Sequence, residues 1–258
     1  MKSKDLVLQS RDKINAIYIH TMQRTYFRVF GHPVDQRFAI IGNARTGSNF
    51  LLDGLKSSPS IKMYHEIFAE HNRKIGKDFD AILSTLFQYE SKSTELVGFK
   101  LFYNHLTDEE WNKLLAYKDL KVIHLTRRNR LRTIISLEIA FKTGEWTRSG
   151  KSEGSEKKRL ILEPSNLIKQ LEQIEERESA TRARFRNRQI MEVVYEKLIQ
   201  SPTDVFASVS TFLGVNGIDP SKIRLKKQNP ESLKQLIINY YEIKAVLRST
   251  RFAEYLDD

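Results

Sequence analysis

The chain has 258 residues, with 43 lysines and arginines against 32 aspartates and glutamates, a formal charge of +11 and no cysteine. The lack of thiols excludes disulfide bonds, thiolate metal sites and cysteine nucleophiles. The basic surplus favours anionic partners, which include nucleic acid, acidic lipid headgroups and phosphorylated small molecules.

The N-terminal residues contain no uninterrupted apolar core of the signal-peptide type, and no stretch approaches the roughly 20 apolar residues of a membrane span. With 40% hydrophobic residues, the composition predicts a packed, cytoplasmic protein without a transmembrane segment. We expect one domain over residues 1–258, with a helical extension at 1–33 and a basic loop with helices at 226–258. Residues 4–30 predict a helix that packs on this domain or contacts a membrane surface or a partner.

A strand, a turn and a helix are predicted in succession between residues 37 and 56. The apolar run 38–41 predicts a strand over residues 37–42, and the turn that begins at its end carries two glycines. This order is typical of phosphate-binding loops, in which backbone N–H groups at a helix N-terminus meet an anion. We call residues 42–49 the cradle.

The rest of the chain alternates strands and helices. Strands are predicted at 61–64, 96–101, 120–125 and 190–194. Helices are predicted at 79–89, from Thr107 with Glu110 completing a capping box, at 130–142, from Ser165, and at 202–213 before Gly214. This alternation predicts an α/β fold, a P-loop-like three-layer sandwich with a central, mostly parallel sheet flanked by helices.

Charged clusters follow three of the predicted strands. They are the cradle with Arg45, the pair His65 and Glu66, and residues 127–130. Because ligands of such sheets bind at the carboxyl ends of the strands, we expect the three clusters to converge at one rim.

The cradle is predicted to bind an anion. Arg45 supplies a permanent charge, and Thr46, Ser48 and Asn49 supply neutral donors beside the backbone N–H groups. Ser48 follows the second glycine, where a P-loop nucleoside triphosphatase has lysine, and no strand-end aspartate suited to Mg²⁺ accompanies it. An ordinary βα turn with a glycine is the alternative interpretation.

A second group of arginines begins the helix that follows the strand at 120–125. Arg128 stands at the strand end, eight residues before Ser136, and this position beside the cradle predicts phosphate binding. Arg130 and Arg132 are instead predicted to lie on a solvated basic face.

These motifs resemble those of the sulfotransferases that use 3′-phosphoadenosine 5′-phosphosulfate (PAPS). The family's first motif is a basic residue followed by Ser/Thr-Gly-Ser/Thr. The resemblance implies that the 5′-phosphosulfate is held by the matching residues, Arg45, Thr46, Gly47, Ser48 and Asn49. The second motif is Arg-Asn with a serine eight residues after the arginine, which implies that Arg128 and Ser136 are ligands of the 3′-phosphate.

The third motif of the family is a Tyr-Glu pair before a Pro-containing helix that ends in Phe-Leu-Gly. It corresponds here to Tyr195 and Glu196, and the resemblance places the tyrosine near the adenine. The family's basic, glycine-containing loop near the C-terminus is absent in its familiar form, and Lys226 and Lys227 are expected to replace it.

Arginine in the first motif, followed by Gly-Ser, resembles the bacterial branch that includes trehalose and nodulation-factor sulfotransferases. In that branch a glutamate about twenty residues after the motif is the catalytic base, and Glu66 falls there. A departure is Ala44, which stands where the family commonly has proline. The resemblance to this bacterial branch implies a carbohydrate or glycolipid acceptor.

The implied reaction is in-line attack of an acceptor hydroxyl on sulfur, with adenosine 3′,5′-bisphosphate leaving and no metal required. Glu66 would take the hydroxyl proton, although a carboxylate with a pKa near ~4.3 is a poor base unless burial raises its pKa. His65 is the rival base, with a pKa better matched to neutral pH. Arg45 would neutralise charge on the bridging oxygen, and Lys100 either aids the leaving group or is a solvated lysine.

Two other functions stay open at this point. One is nucleotide-dependent phosphoryl transfer, which requires Mg²⁺ and ATP. The other is non-catalytic binding of nucleic acid or an anionic surface, with residues 182–188 and 148–160 as its footprint. Nucleic acid is disfavoured because such arginine runs more often form a solvated helix face. The acceptor, a small molecule or glycan, is expected to bind between the irregular segments 67–78 and 144–160.

Overall fold

The structure, a computed structural model of the chain, describes residues 29–73, 78–86, 89–146, 155–225 and 227–257. The predicted N-terminal helix lies outside the described residues except for its last two positions, and Lys226 lies outside them as well. Within the described ranges, no helix is both long enough and apolar enough to span a bilayer.

A five-stranded parallel sheet forms the middle layer. Its strands, in chain order, are β2 (Gln36–Gly42), β3 (Ile61–Tyr64), β5 (Leu96–Phe102), β6 (Lys121–Thr126) and β7 (Ile190–Val194). Their spatial order is β3-β5-β2-β6-β7, so the strand that leads into the cradle lies at the centre. Every predicted strand is confirmed to within one residue at either end.

Parallel pairing brings the carboxyl ends of these strands to one edge. Ile41 of β2 pairs with Leu101 of β5 on one side and with His124 of β6 on the other. The cradle, Lys100 near the end of β5, and residues 127–130 after β6 therefore lie beside one another at this edge, as the order of the elements predicts.

Helices cover both faces of the sheet. They are α1 (Ser48–Leu55), α2 (Glu70–Arg73), α3 (Phe79–Thr85), α4 (Asp108–Leu115), α5 (Arg130–Thr143), α6 (Pro164–Arg184), α7 (Tyr195–Gln200), α8 (Pro202–Leu213), α9 (Leu233–Leu236) and α10 (Tyr240–Arg248). The capping box of Thr107 and Glu110 is present at the start of α4, as predicted. The helix expected from Ser165 begins one residue earlier, with Glu163 as its cap.

The predicted helix over residues 79–89 is too long. It ends at Thr85, and Tyr89–Glu90 forms a short strand, β4, that pairs with β1 (His32–Pro33). The Glu90 carboxylate is buried there and accepts a hydrogen bond from the Tyr64 hydroxyl at 3.1 Å. Tertiary contacts thus override the helical spacing of this stretch.

Alternation along β2 fills two separate cores. Phe38 and Ile40 pack with α1 and α8, whereas Ala39 and Ile41 pack with α3 and α4 on the opposite face. Burial of each large apolar side chain stabilises the fold by about 1.5–3 kcal/mol. A third core joins one side of α5 to α6 and to the C-terminal helices α9 and α10. This third core brings the C-terminal part of the chain next to the cradle.

Candidate active site

An open cleft of about 340 Å³ lies at the carboxyl edge of the sheet. The cradle, the ends of β5 and β6, and the helices α5 and α7 contribute to its wall, together with residues 225 and 227–229. The predicted site residues that line it are Arg45, Gly47, Ser48, Asn49, Glu66, Lys100, Ser136, Tyr195 and Lys227. Of the three charged clusters expected to converge at one rim, the cradle, Glu66 and Arg127 all line this cleft.

The backbone of the cradle is held in a left-handed bend. Arg45 has a φ of 68°, which is uncommon for a residue with a side chain, and Gly47 has a φ of 91°. A Cβ atom on Gly47 would lie 2.4 Å from the Tyr195 ring, so glycine is required at this position for two reasons. Thr46 turns inward, and its hydroxyl donates to the Asn43 carbonyl at 2.8 Å.

Helix α1 begins at Ser48 with its N-terminus at the cleft. Its N-cap is Gly47, which offers no side-chain acceptor to the first N–H groups. These groups carry the positive end of the helix dipole. Ser48 and Asn49 line the cleft at the same point, so the cradle has the backbone geometry of an anion site.

The Arg45 side chain reaches across the cleft. Its Nε donates to the Ser136 hydroxyl at 3.1 Å, one Nη donates to the Trp146 carbonyl at 2.6 Å, and the other donates to the Gln228 side-chain oxygen. Burial, with nearby Arg127 as a second cause, lowers the pKa of Arg45 to about 10. The guanidinium therefore stays charged at neutral pH while it is surrounded by neutral acceptors.

Lys100 and Glu66 form an ion pair next to the cradle. The Lys100 ammonium lies 2.7 Å from a Glu66 carboxylate oxygen and also donates to the Asn49 side-chain oxygen at 2.7 Å. The Lys100 side chain is only 3% exposed, which corrects the alternative of a solvated lysine. Its burial lowers the pKa of Lys100, and the hydrogen bond with Glu66 opposes that shift.

His65 lies next to Lys56 and outside the cleft that Glu66 lines. It is exposed, its Nε2 lies 2.8 Å from the Lys56 ammonium, and it does not line the cleft. Partial burial, with Lys56 and Lys100 as further causes, lowers the pKa of His65. Of the two predicted bases, only Glu66 faces the space that the cradle borders.

The second motif contributes to the cleft through Ser136 and not through Arg128. The Arg128 side chain is exposed, and its backbone N–H donates to the Glu196 carboxylate at 2.9 Å. Asn129 caps α5 by accepting from the Arg132 N–H at 3.0 Å. Glu196 of the third motif thus fixes the start of the second.

The prediction of a solvated face at Arg130 and Arg132 is wrong. The Arg130 guanidinium lies 2.7 Å from a Glu178 carboxylate oxygen, and that carboxylate is itself buried. Arg132 is 8% exposed, lines the cleft and donates to the Glu231 carbonyl at 2.7 Å. Helix α5 is covered on one side by α6 and on the other by C-terminal residues. The Arg130 side chain therefore lies against α6, and the Arg132 side chain lies in the cleft wall.

Tyr195 packs its ring between the cradle and an arginine. One ring edge faces Gly47, and the Arg127 guanidinium lies 4.6 Å from the ring centroid, a cation–π distance. Arg127 also donates to the Arg45 carbonyl at 3.4 Å. The third motif therefore contacts the first directly.

Sequence reasoning missed the contacts that hold residues 227–231, which we call the roof segment. The Lys158 ammonium is buried and donates to the Gln228 carbonyl at 3.0 Å and to a Glu231 carboxylate oxygen at 2.9 Å. The Asn229 side chain donates to the Ser136 hydroxyl at 3.3 Å. Lys158 belongs to a Gly-, Ser- and Lys-rich stretch that predicts an exposed loop, so nothing local signals its burial.

The segments predicted to hold the acceptor are described only in part, because residues 74–77 and 147–154 lie outside the described ranges. Within these segments, residues 70–73 form one helical turn, and Trp146 lines the cleft. The arginine run at 182–188 has partners within the protein, among them Glu192, Asp108 and the Leu115 carbonyl.

The comparisons with known proteins give a family model, a curated relative and a solved structure. The family model described as Stf0 sulphotransferase matches residues 23–242. Nodulation protein H of Rhizobium meliloti (strain 1021) is 21% identical over 235 residues, which are 86% of this chain and 95% of that protein. A crystal structure of a sulfotransferase from Alicyclobacillus acidocaldarius aligns with a TM-score of 0.54 at 18% identity, covering 86% of this chain and 94% of that one. This structural likeness shows a common fold and confirms the P-loop-like α/β prediction.

Proposed function

The chain belongs to the Stf0 sulphotransferase family, and on that premise we propose that it moves a sulfuryl group from PAPS to a hydroxyl of a carbohydrate or glycolipid acceptor. Sulfotransferase activity follows from the family. The donor, the general base and the acceptor class are our proposals, and each is supported by a different part of the site.

The observation that carries the donor assignment is the convergence of cations on the cradle. Arg45, Lys100, Arg127 and Lys227 all line the cleft into which the uncapped N-terminus of α1 opens. A ligand with several phosphate or sulfate groups offsets the cost of bringing so many cations together. The tyrosine beside the cradle, Tyr195, offers an aromatic face on which a purine ring can stack.

Glu66 is our proposed general base. The acceptor oxygen forms a bond to sulfur while the bond from sulfur to the bridging phosphate oxygen breaks, and the hydroxyl proton passes to the Glu66 carboxylate. Lys100, 2.7 Å away, pairs with that carboxylate and orients it towards the cleft. The same ammonium is placed to stabilise charge that develops on the transferring group or on the leaving oxygen.

The acceptor assignment rests on the resemblance of Arg45-Thr46-Gly47-Ser48 and Glu66 to the bacterial branch. Trp146 at the cleft wall fits a sugar, because aromatic rings pack against the apolar faces of carbohydrates.

The test begins with binding and transfer by the unaltered protein. We expect it to bind adenosine 3′,5′-bisphosphate and to transfer labelled sulfate from PAPS to at least one member of a panel of sugars and glycolipids. Arg45→Ala is expected to lose this binding. If the unaltered protein binds no bisphosphate but consumes ATP with Mg²⁺, the donor assignment is wrong and phosphoryl transfer replaces it.

The base is tested with neighbouring variants. Glu66→Gln is expected to lower kcat by about 10²- to 10⁴-fold, because it removes the proton acceptor while it keeps the size and shape of the side chain. His65→Gln is the matched control, and its kcat is expected to stay near that of the unaltered protein. The reverse pattern assigns the base to His65.

A further inference from the structure

Two aromatic rings stand exposed at the mouth of the cleft. The ring centroids of Phe141 and Trp146 lie 5.1 Å apart, and the rings are nearly perpendicular, at 86°. Phe141 is 66% exposed and Trp146 is 46% exposed. Trp146 lines the cleft and Phe141 does not, so Phe141 extends the aromatic surface beyond the cleft wall. We call these two rings the aromatic pair.

The backbone that carries Trp146 is fixed by the site itself. Helix α5 ends at Thr143, whose hydroxyl accepts a hydrogen bond from the Glu145 N–H at 3.2 Å. The Trp146 carbonyl accepts from the Arg45 guanidinium at 2.6 Å, and the Glu145 carbonyl accepts from the Gln228 side chain at 3.3 Å. The aromatic pair therefore projects from a backbone that both the cradle and the roof segment hold.

The size of the cleft limits which part of an acceptor can meet the aromatic pair. A volume of about 340 Å³ is near the lower end of the range of about 300–1,000 Å³ that is typical of sites for drug-sized ligands. PAPS, the proposed donor, is itself a ligand of that size, so little space remains beside it. The part of an acceptor beyond its reacting ring must therefore lie at the mouth of the cleft, where the aromatic pair is exposed.

The surroundings of the aromatic pair suit sugar rings better than an alkyl chain. Gln228, which shares Arg45 with Trp146, lines the cleft together with Lys227 and Asn229. A sugar ring presents apolar faces, which pack on aromatic rings, and hydroxyl groups, which exchange hydrogen bonds with such polar side chains. An alkyl chain at this position would take the same polar groups out of water without giving them partners.

We propose that the acceptor is a chain of sugar rings and that the aromatic pair binds the rings next to the one that receives the sulfuryl group. Trp146 packs on the nearer ring, and Phe141 packs on a ring farther from the sulfur. This inference rests on the proposed transfer to a carbohydrate, and it narrows the acceptor class from any sugar to an oligosaccharide chain.

The experiment measures kcat/KM with PAPS for acceptors of increasing length. The acceptors are glucose, cellobiose and cellotriose, and mannose, mannobiose and mannotriose. For at least one series, the unaltered protein is expected to gain about tenfold or more in kcat/KM from the single sugar to the trimer, mainly through a lower KM. Octyl glucoside replaces the additional rings by an alkyl tail and is expected to show no such gain.

Single substitutions locate the gain on the aromatic pair. Trp146→Ala is expected to lower kcat/KM for the dimer and the trimer by about 10- to 100-fold, because a large aromatic contact is lost. Phe141→Ala is expected to affect the trimer, by about 5- to 20-fold, and to leave the dimer unchanged. Tyr241→Ala is the matched control, since Tyr241 is 68% exposed and does not line the cleft.

Binding of adenosine 3′,5′-bisphosphate separates the inference from a defect of the fold or of the donor site. Trp146→Ala keeps the backbone carbonyl that Arg45 contacts. Both aromatic variants are therefore expected to bind the bisphosphate as the unaltered protein does. Loss of that binding in Trp146→Ala would show that the ring supports the donor site instead of the acceptor, and it would overturn the inference.

Tryptophan fluorescence provides a readout that does not depend on turnover. The chain has two tryptophans, and Trp111 is only 2% exposed, so quenching by iodide reports mainly on Trp146. The trimer of the accepted series is expected to protect Trp146 from iodide, whereas the single sugar is not.

The outcomes distinguish this inference from the proposed function. Equal kcat/KM for the single sugar and the trimer overturns the inference and leaves the proposed function in place. An equal gain from octyl glucoside assigns the aromatic pair to an alkyl tail and overturns it as well. If the protein binds the bisphosphate but transfers sulfate to no sugar of either series, the carbohydrate acceptor of the proposed function fails, and the inference fails with it.

Discussion

The two ends of the cleft are built in different ways. At the cradle end, Asn49 lies in the first turn of α1, Glu66 follows β3, and Lys100 lies in β5. The Lys100 ammonium is 2.7 Å from the side chains of both partners. At the roof end, Arg132 and Lys158 both contact Glu231, which lies 99 residues after Arg132 and 73 residues after Lys158 in the chain. The sheet fixes the first end, whereas buried polar contacts fix the second.

Because of this difference, substitutions at the two ends of the cleft are expected to affect the reaction and the folding stability to different extents. A side chain at the cradle end projects from a backbone that two apolar cores already hold, so its loss changes the reaction more than the fold. At the roof end the buried polar contacts are themselves the support, so the loss of one partner affects ligand binding and folding together.

The largest effect is expected from Lys100→Met at the cradle end. Methionine approximates the length of the buried lysine stem but removes the charge beside Glu66 and the transferring group. We expect kcat to fall by about 10²- to 10³-fold, with the melting temperature little changed. Lys56→Met, which removes the ammonium next to exposed His65, is the control and should retain kcat. A retained kcat in Lys100→Met would show that the two ends do not differ in this way.

At the roof end, the expected effect is on the free energy of unfolding. Lys158 and Glu231 are 1% and 19% exposed and lie 2.9 Å apart. Lys158→Met and Glu231→Gln should each lower the free energy of unfolding by about 1–3 kcal/mol, because each leaves the other partner buried without its counter-charge.

The matched control for this pair is an exposed one with the same separation. Lys113 and Asp80 also lie 2.9 Å apart, but their side chains are 43% and 66% exposed. Double-mutant cycles measured by denaturant unfolding should give a coupling energy of about 0–1 kcal/mol for the exposed pair and a larger one for the buried pair. Equal coupling energies would remove the distinction between the two ends.

The same difference explains how much the sequence predicts. The strands themselves, the cradle, the capping box at Thr107 and the position of Glu66 after a strand follow from local patterns, because apolar runs and turn residues depend mainly on their own neighbours in the chain. The carboxyl ends of parallel strands then meet by topology alone. The cradle end of the site is therefore predictable from the sequence without knowledge of any particular contact.

The roof end has no such local signal. Arg130 and Arg132 stand in an arginine-rich stretch that predicts a solvated face, and Lys158 belongs to a stretch whose sequence is rich in Gly, Ser and Lys. Their burial depends on where the C-terminal helices pack against α5, which is decided by the third core. Long-range packing of that kind leaves no spacing pattern at the positions it covers.

A smaller effect is expected from Gly47→Ala in the cradle. The substitution strains a residue with a φ of 91° and places a Cβ atom 2.4 Å from the Tyr195 ring. We expect a loss of about 1–3 kcal/mol in the free energy of unfolding and weaker binding of adenosine 3′,5′-bisphosphate. Gly144→Ala is the matched control, since Gly144 has a φ of 73° but open space around its Cβ position. If both variants weaken binding of the bisphosphate equally, the contact between the cradle and Tyr195 does not determine the shape of the site.

The smallest expected effect is on the alkaline limb of the pH profile. Burial lowers the pKa of Lys100, so its ammonium is lost as the pH rises through a value below the ordinary lysine pKa of about 10.4. A reaction that needs this charge should therefore slow at a lower pH than the titration of an exposed lysine would allow. Lys100→Arg keeps a charge with a higher pKa, so the limb should move towards pH 10, where Arg45, whose pKa is lowered to about 10, begins to titrate. Arg45 is unchanged in that variant. If the alkaline limb of kcat/KM does not move, the loss of activity is due to deprotonation of Arg45, and the charge that the reaction needs is that of Arg45, which reaches the roof segment.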